Sequence, residues 1–202
     1  MISYCVMMHP RRQKYLSYLQ GKIPNLKLSM DCGRGVWDTA RRAWLSYDKD
    51  KEYHCVVQDD IIPCEGFTDK VEELIREHGD QYVYCLFIRN KGQKSLEDKW
   101  EKGFDDGYLL WWKLNWALAV VIPTKHIEDM VAYCDKMTDK KYINRDDERM
   151  KHYFKSIEKT MLYPLPCLVQ HREEEDSLIG LGHNRGRRAV KFIDDENTKN
   201  NT

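Results

Sequence analysis

The sequence predicts an α/β protein whose single domain has a mostly parallel central sheet flanked by helices. Short apolar, β-branched runs alternate with longer segments in which apolar residues recur at helical spacing. Such alternation is typical of parallel strands joined by crossover helices, and 202 residues are enough to bury one core. We expect this domain to span residues 1–194, followed by a disordered polar tail at 195–202.

The first half of the chain contains most of the predicted alternation. The predicted elements are a strand at 2–8, a helix from Pro10 through Ile23, a strand at 26–30, a helix at 36–45, an apolar strand from Tyr53 that ends in Asp59 and Asp60, a helix at 67–78 and a strand at 81–88. Ligands of such sheets bind beyond the carboxyl ends of the strands.

The second half begins with a polar segment between Arg89 and Gly107, for which a mobile loop is predicted. An aromatic segment at 108–116 then leads into a buried strand at 117–123, a helix from Thr124 and a helix that starts near Asn144. The last extended segment, 161–171, contains Pro164 and Pro166. Because proline cannot donate a ladder hydrogen bond, this segment is predicted to lie at a sheet edge.

The composition restricts the functional classes. Lysine and arginine together number 33, as do aspartate and glutamate. With a net charge of zero, the overall electric field of the protein does not favour binding to nucleic acid or to a membrane. Seven cysteines without a C-x-x-C pair argue against a zinc site or a disulfide framework and favour a reducing compartment. We therefore expect a cytoplasmic protein, since no apolar run reaches the length of about 18 residues that spans a membrane.

Two acids at the end of the central strand are the first candidate site. Asp59 and Asp60 are either metal ligands, groups that bind a polar substrate, or a solvated turn. Asp60 and His171, near the end of the chain, could meet over a divalent ion. Carboxylates suit Mg²⁺ and Mn²⁺, and an imidazole shifts the preference towards Mn²⁺.

For several other charged residues, a structural role is as plausible as a functional one. His9 and Arg12 follow the first strand, where a helix N-terminus can bind an anion, although they could also be solvated. Asp146 and Asp147 begin a helix, where the macrodipole favours acids and where a general base could also lie. The pattern Gly33-x-Gly35 lacks the third glycine of a dinucleotide fingerprint.

Three segments resemble GT-A glycosyltransferases. Residues 56–63 (VVQDDIIP) resemble the D-x-D region, with Gln58 in place of the first acid, so that the pair shifts to Asp59 and Asp60. Residues 165–172 with 177–180 resemble the closing segment, which contains a metal-binding histidine. Asp146 and Asp147 resemble the acid near the acceptor in inverting members. The resemblance covers roughly residues 2–192 and implies a Rossmann-like GT-A domain.

The resemblance implies a transferase that moves a sugar, with glucose expected, from a UDP-sugar with the help of Mn²⁺ or Mg²⁺. Asp60 and His171 would bind the metal and Asp59 the ribose or donor sugar, although the two acids could exchange roles. Asp147 or Asp146 would deprotonate the acceptor if the reaction inverts. The remaining donor contacts implied are His9, Asp31 and Trp37 on the nucleoside and sugar, and Arg12, Arg41 or Arg42 on the diphosphate.

The chain is also similar to small GT-A enzymes with which bacterial viruses glycosylate hydroxymethylated pyrimidines in DNA, which would place it in a bacterial host cytoplasm. Trp111, Trp112 and Trp116 would receive an extruded base, and the basic run 183–188, including Arg185, would bind the DNA backbone. Such a tryptophan cluster more often belongs to the core. The alternatives are a lipopolysaccharide or other surface-glycan acceptor, a metal-dependent phosphodiesterase or nucleotidyltransferase, and a non-catalytic nucleotide-binding module.

Overall fold

The computed structural model describes residues 1–89, 103–142, 144–173 and 187–194. Its strands are β1 (Ile2–Met8), β2 (Lys27–Met30), β3 (Tyr53–Gln58), β4 (Ile61–Pro63), β5 (Tyr82–Cys85), β6 (Tyr108–Trp111), β7 (Ala119–Pro123), β8 (Thr160–Pro164) and β9 (Val169–His171). Its α-helices are α1 (Leu16–Lys22), α2 (Val36–Leu45), α3 (Phe67–His78), α4 (Ile127–Asp135) and α5 (Asp146–Ser156). Short 3₁₀ turns cover Pro10–Tyr15, Thr124–His126 and Lys140–Tyr142.

Several predictions concern residues outside these ranges. They are the loop at 90–102, the segment 177–180 with its likeness to a transferase closing segment, Arg185 with most of the basic run, and the tail at 195–202. None of the described helices combines the length and the apolar character that crossing a bilayer requires.

The main sheet has seven strands in the order β2-β1-β3-β7-β5-β8-β6. Strand β1 is parallel to β2 and β3, and β5 is parallel to β8. Strand β7 is antiparallel to β3 and β5, and β6 is antiparallel to β8, so five strands share one direction and two are reversed. The predicted α/β class with a helix-flanked, mostly parallel sheet is confirmed. The arrangement is compatible with a Rossmann-like fold.

The central strands supply most of the core. Every side chain of β1 and β7 is buried, and β3 is buried as far as Gln58, as expected for strands covered on both faces. Helix α3 buries Phe67, Val71 and Ile75 at helical spacing. Because β2 and β3 flank β1 on opposite sides, the strand order reverses at β1, and a crevice forms there in open α/β sheets.

The predicted edge position of the last extended segment, 161–171, is wrong for its first part. Strand β8 lies between β5 and β6 inside the main sheet. Pro164 is its last residue and Pro166 follows it, so neither proline interrupts the ladder along the strand. Strand β9 then leaves the main sheet and pairs with β4 in a separate two-stranded sheet.

Candidate functional site

A cleft of about 750 Å³ opens at the carboxyl ends of β1, β2 and β3. Its opposite wall consists of the start of α5 and of residues 115–118, which lead into the reversed strand β7. The predicted site residues that line it are His9, Arg12, Asp31, Asp59, Asp60, Trp116, Asp146, Asp147 and His171. Residues from both ends of the chain therefore meet at the predicted edge of the sheet.

The acid pair, Asp59 and Asp60, lies directly after β3 and is buried. A single nitrogen of Arg12, Nη1, donates to Asp59 Oδ1 at 2.8 Å and to Asp60 Oδ2 at 2.7 Å. The backbone N–H of His9 donates to the second oxygen of Asp59 at 2.7 Å. Both oxygens of Asp59 are thus engaged by protein groups, and Arg12 acts on the acids themselves.

Asp60 lies against His171 because of the small second sheet. Strands β4 and β9 place Ile61 opposite His171, and the N–H of Arg172 donates to the carbonyl oxygen of Asp60 at 2.8 Å. This register leaves His171 Nε2 at 3.3 Å from Asp60 Oδ2. The structure brings together the two residues predicted to share a metal, and that metal role remains a prediction.

Two buried atoms at this contact lack a partner in the described part of the chain. They are Asp60 Oδ1 and His171 Nδ1. Buried polar atoms in native proteins are normally satisfied, so each is a position where a ligand or water would bind. The donor set of one carboxylate and one imidazole fits Mn²⁺, or Mg²⁺ with several retained waters. No group of three or more His, Cys, Asp or Glu side chains suited to a metal occurs among the described residues, so substrate and water would supply the remaining ligands.

The two acids of the pair differ electrostatically. Burial and the charge of Asp60 raise the pKa of Asp59, although His9 and Arg12 oppose this. Burial also opposes ionisation of Asp60, but the hydrogen bond and charge of His171, together with Arg12, hold the pKa of Asp60 below its ordinary value. Asp60 is therefore the better metal ligand of the two, because it is the one held as a carboxylate and it retains an unpartnered oxygen.

The helix acids, Asp146 and Asp147, begin α5 on the opposite side of the cleft. Burial and the charge of Asp147 raise the pKa of Asp146 to about 7. Burial also raises the pKa of Asp147, whose Oδ1 accepts a hydrogen bond from the N–H of Glu148 at 2.8 Å. A carboxyl group that titrates near neutrality can accept a proton from a reacting hydroxyl, so this pair has the chemistry of a general base.

Asp31 directly follows β2, which is separated by β1 from the strand that carries the acid pair. Its Oδ1 accepts hydrogen bonds from the N–H of Gly33 at 2.8 Å and from Thr39 Oγ1 at 3.3 Å. Gly33 and Gly35 have φ angles of 79° and 98°, which explains why glycine occupies this turn. The turn brings its backbone and the start of α2 to the cleft wall.

Two predicted donor-binding residues lie outside the cleft lining, which corrects their assignment. Trp37 Nε1 and Arg41 Nε both donate to the carboxylate of Asp135, at 2.9 Å each. These residues are four positions apart, on the face of α2 that contacts α4, whereas Val36 and Thr39 line the cleft. Trp37 and Arg41 therefore join two helices.

The remaining predicted cations and tryptophans also have other neighbours. Arg42 binds Asp38 one helical turn earlier, at 2.9 Å. Trp111 is buried and packs near Tyr163, while Trp112 is 52% exposed, and neither lines the cleft. Only Trp116 of the three predicted acceptor tryptophans does so. Trp111 is the last residue of β6, and Trp112 follows the strand.

Sequence reasoning missed Arg187, which lines the cleft near Trp116. It belongs to the basic run 183–188 that was expected to bind the DNA backbone, and Arg185, the arginine named there, lies outside the described residues. The same reasoning missed the cleft residues Asn115 and Arg145, for which the sequence offers no distinguishing pattern.

No protein-family model matches the chain, and no curated protein is similar enough to it to count as a relative. The functional argument therefore depends on the chemistry of the cleft.

Proposed function

We propose that the protein is a metal-dependent glycosyltransferase that moves a hexose, with glucose the expected sugar, from a UDP-sugar to an acceptor hydroxyl. The observation that supports this most directly is the buried contact of Asp60 with His171 at the carboxyl end of β3, with one unpartnered atom on each side chain. A divalent ion bound by these two residues would stabilise the charge that develops on the leaving diphosphate. Asp31 is available for the nucleoside.

The protein's own groups have distinct parts in this reaction. Arg12 fixes both acids in position and neutralises part of their charge. The acceptor oxygen forms a bond to the anomeric carbon while the bond from that carbon to the UDP oxygen breaks. The helix acids take the proton of the acceptor hydroxyl, which fits the raised pKa of Asp146. Because base and leaving group would lie on opposite sides of the sugar, we expect inversion at the anomeric carbon.

For the acceptor we propose a 5-hydroxymethylpyrimidine in DNA, with a lipopolysaccharide or other surface glycan as the alternative. Trp116 is the aromatic side chain that supports an extruded base, since it lines the cleft. Incubation with Mn²⁺, UDP-glucose and each acceptor, followed by mass spectrometry, tests this choice. An added hexose on the base supports DNA, and an added hexose on the oligosaccharide supports the glycan.

The same incubation distinguishes the reaction classes. Acceptor-stimulated release of UDP supports glycosyl transfer. Release of uridine monophosphate or free phosphate would instead indicate a phosphodiesterase or nucleotidyltransferase. Binding of UDP-glucose without turnover would indicate a nucleotide-binding module.

Two isosteric variants test the assigned roles. We expect Asp60→Asn to abolish Mn²⁺-dependent binding of UDP, measured by calorimetry, because the metal loses its charged ligand. Asp147→Asn should retain UDP binding and lose turnover, because the change lies on the acceptor side. Unchanged Mn²⁺-dependent binding in the first variant would remove the metal assignment, and Asp50→Asn, an exposed acid, is the matched control.

A further inference from the structure

Two arginines that the proposed reaction does not use contact Trp116, and one of them, Arg187, lines the cleft with it. The guanidinium carbon of Arg89 lies 5.2 Å from the centre of the Trp116 ring, and that of Arg187 lies 5.1 Å from it. Both distances are within the range of cation–π contact. We call Arg89, Trp116 and Arg187 the arginine cluster.

The backbone of the cluster is held in an unusual conformation. Trp116 has a φ angle of 62°, in the left-handed region that bulky residues rarely adopt. Just before it, the hydroxyl of Tyr163 donates to the carbonyl of Lys113 at 2.6 Å and accepts from the N–H of Asn115 at 3.0 Å. A strained residue that its surroundings hold in place is often functional, and here it supports both guanidinium groups.

Neither arginine of the cluster has a carboxylate partner among the residues that the structure describes. By contrast, Arg12, Arg41 and Arg42 all bind acids. Burial and the neighbouring charge of Arg89 lower the pKa of Arg187, although the charge of Asp60 opposes this. Two adjacent cations in a partly buried wall repel each other, and a bound anion would relieve that repulsion.

The position of the cluster along the sheet indicates which anion. Arg89 follows β5, two strands from β3, on the side away from β1 and β2. Asp31 follows β2, two strands from β3 in the other direction. With strands about 4.8 Å apart, the carboxyl ends of β5 and β2 each lie roughly 10 Å from that of β3. If the nucleoside binds at Asp31 and the diphosphate at the acid pair, the cluster lies on the side of the transferred sugar and the acceptor.

We propose that Arg89 and Arg187, supported by Trp116, bind a phosphate group of the acceptor. The forked donors of two guanidinium groups match phosphate oxygens, which they can bind in a bidentate manner. The identity of the ligand as an acceptor rests on the proposed function, whereas the anion site itself does not. A phosphodiester of DNA and a phosphorylated sugar share this chemistry.

Calorimetric titration of the full chain with inorganic phosphate tests the proposal, with Mg²⁺ and UDP present at saturation. We expect phosphate to bind beside UDP, and Arg187→Gln and Arg89→Gln each to weaken that binding by about tenfold or more, since each removes a charged hydrogen-bond donor. Arg76→Gln is the matched control, because Arg76 is an exposed arginine of α3 that does not line the cleft, and this variant should bind phosphate as the unmodified protein does. Unfolding midpoints verify that all variants fold.

Several results would overturn the proposal. Competition between phosphate and UDP would place the cluster in the diphosphate subsite. Unchanged phosphate binding in both glutamine variants would remove the site. A preference for UDP-glucuronate over UDP-glucose that Arg187→Gln abolishes would show that the anion belongs to the transferred sugar.

Failure of the proposed function has a different signature. If UDP and Mg²⁺ do not bind, while phosphate still binds in a manner that depends on Arg187, the anion site is supported and the glycosyltransferase assignment fails. If both bind, turnover with a hydroxymethylcytosine oligonucleotide and with a phosphorylated oligosaccharide identifies the source of the phosphate. Loss of Arg187 should then raise the KM for that acceptor and leave the KM for the donor unchanged.

Discussion

Replacement of Asp146 by asparagine should stabilise the protein above neutral pH and abolish the proposed glycosyl transfer. Asp146 is 6% exposed at the start of α5, and burial together with the charge of Asp147 raises its pKa from 3.8 to about 7. The folded protein therefore favours the neutral carboxyl, and ionisation of this group opposes folding. Asparagine has the same shape and cannot ionise.

The magnitude follows from the shift in pKa. A rise in pKa from 3.8 to about 7, at about 1.4 kcal/mol for each tenfold change in the protonation equilibrium, corresponds to a difference of about 4 kcal/mol in the free energy of unfolding. This value is an upper bound because Asp147 shares the titration. The pKa of Asp146 is near 4 in the unfolded chain and about 7 in the folded protein. Its neutral carboxyl group therefore stabilises the folded state fully below about pH 4, and this contribution is lost as the pH rises through about 7. The variant and the unmodified protein should therefore have similar stabilities near pH 4 and differ most at pH 8.

Urea unfolding at pH values between 4.5 and 8 measures this difference. The free energy of unfolding of Asp146→Asn should exceed that of the unmodified protein by a margin that grows up to about pH 7 and then becomes constant. Glu148→Gln is the control, since it removes an acid from the same helical turn. In the unmodified protein Glu148 forms an ion pair with Lys151. That change should destabilise slightly, because it removes a favourable charge at a helix N-terminus.

A difference that is independent of pH, or a variant that is less stable at pH 8, would refute the assigned environment of Asp146. Retained turnover in a stabilised variant would refute its part in proton transfer and leave that part to Asp147. Natural active sites often sacrifice stability for such groups, so a gain in stability with loss of activity is the expected combination.

Two further predictions concern buried polar groups. Arg12→Met should lower the free energy of unfolding, measured in urea, by about 3–5 kcal/mol, because it leaves the buried acid pair without its cation. The control Arg11→Met, at an exposed neighbour, should change this free energy little. A loss below about 1 kcal/mol in Arg12→Met would contradict the argument. Tyr163→Phe should cost about 1–3 kcal/mol by the same measurement, because it removes both hydrogen bonds to residues 113 and 115. Tyr133→Phe, at an exposed position of α4, is its control, and equal effects of the two changes would refute the role of the Tyr163 hydroxyl.

Much of the fold follows from local patterns. The bounds of β1, α2 and α3 agree with those expected from apolar periodicity, because each of these elements buries one recognisable run or stripe. The direction of β7 does not follow from such a pattern. Its apolar run would fit a parallel or an antiparallel strand equally well, since only the pairing with β3 and β5 decides the direction.

The site shows the same division between local and tertiary information. The contact of Asp60 with His171 was expected, because both residues end apolar segments and strand ends converge at one edge of a sheet. The placement of Trp37 and Arg41 was wrong, because composition does not reveal which face of α2 turns towards α4. Arg12 was expected at a phosphate, and its contact with both acids depends on the packing of two distant segments.

Charge balance connects these observations. The acid pair has two negative charges when ionised, and Arg12 supplies one positive charge, so His171 or a bound cation has to compensate the second charge in this buried wall. His171 lies against Asp60, the acid that is held ionised, and not against Asp59, whose oxygens both have donors. The charge that Arg12 leaves and the two unpartnered atoms therefore belong to the same pair of side chains. A cation bound at Asp60 Oδ1 would compensate this charge and give that oxygen a partner, and it would leave Arg12 in place to hold the geometry of the acids.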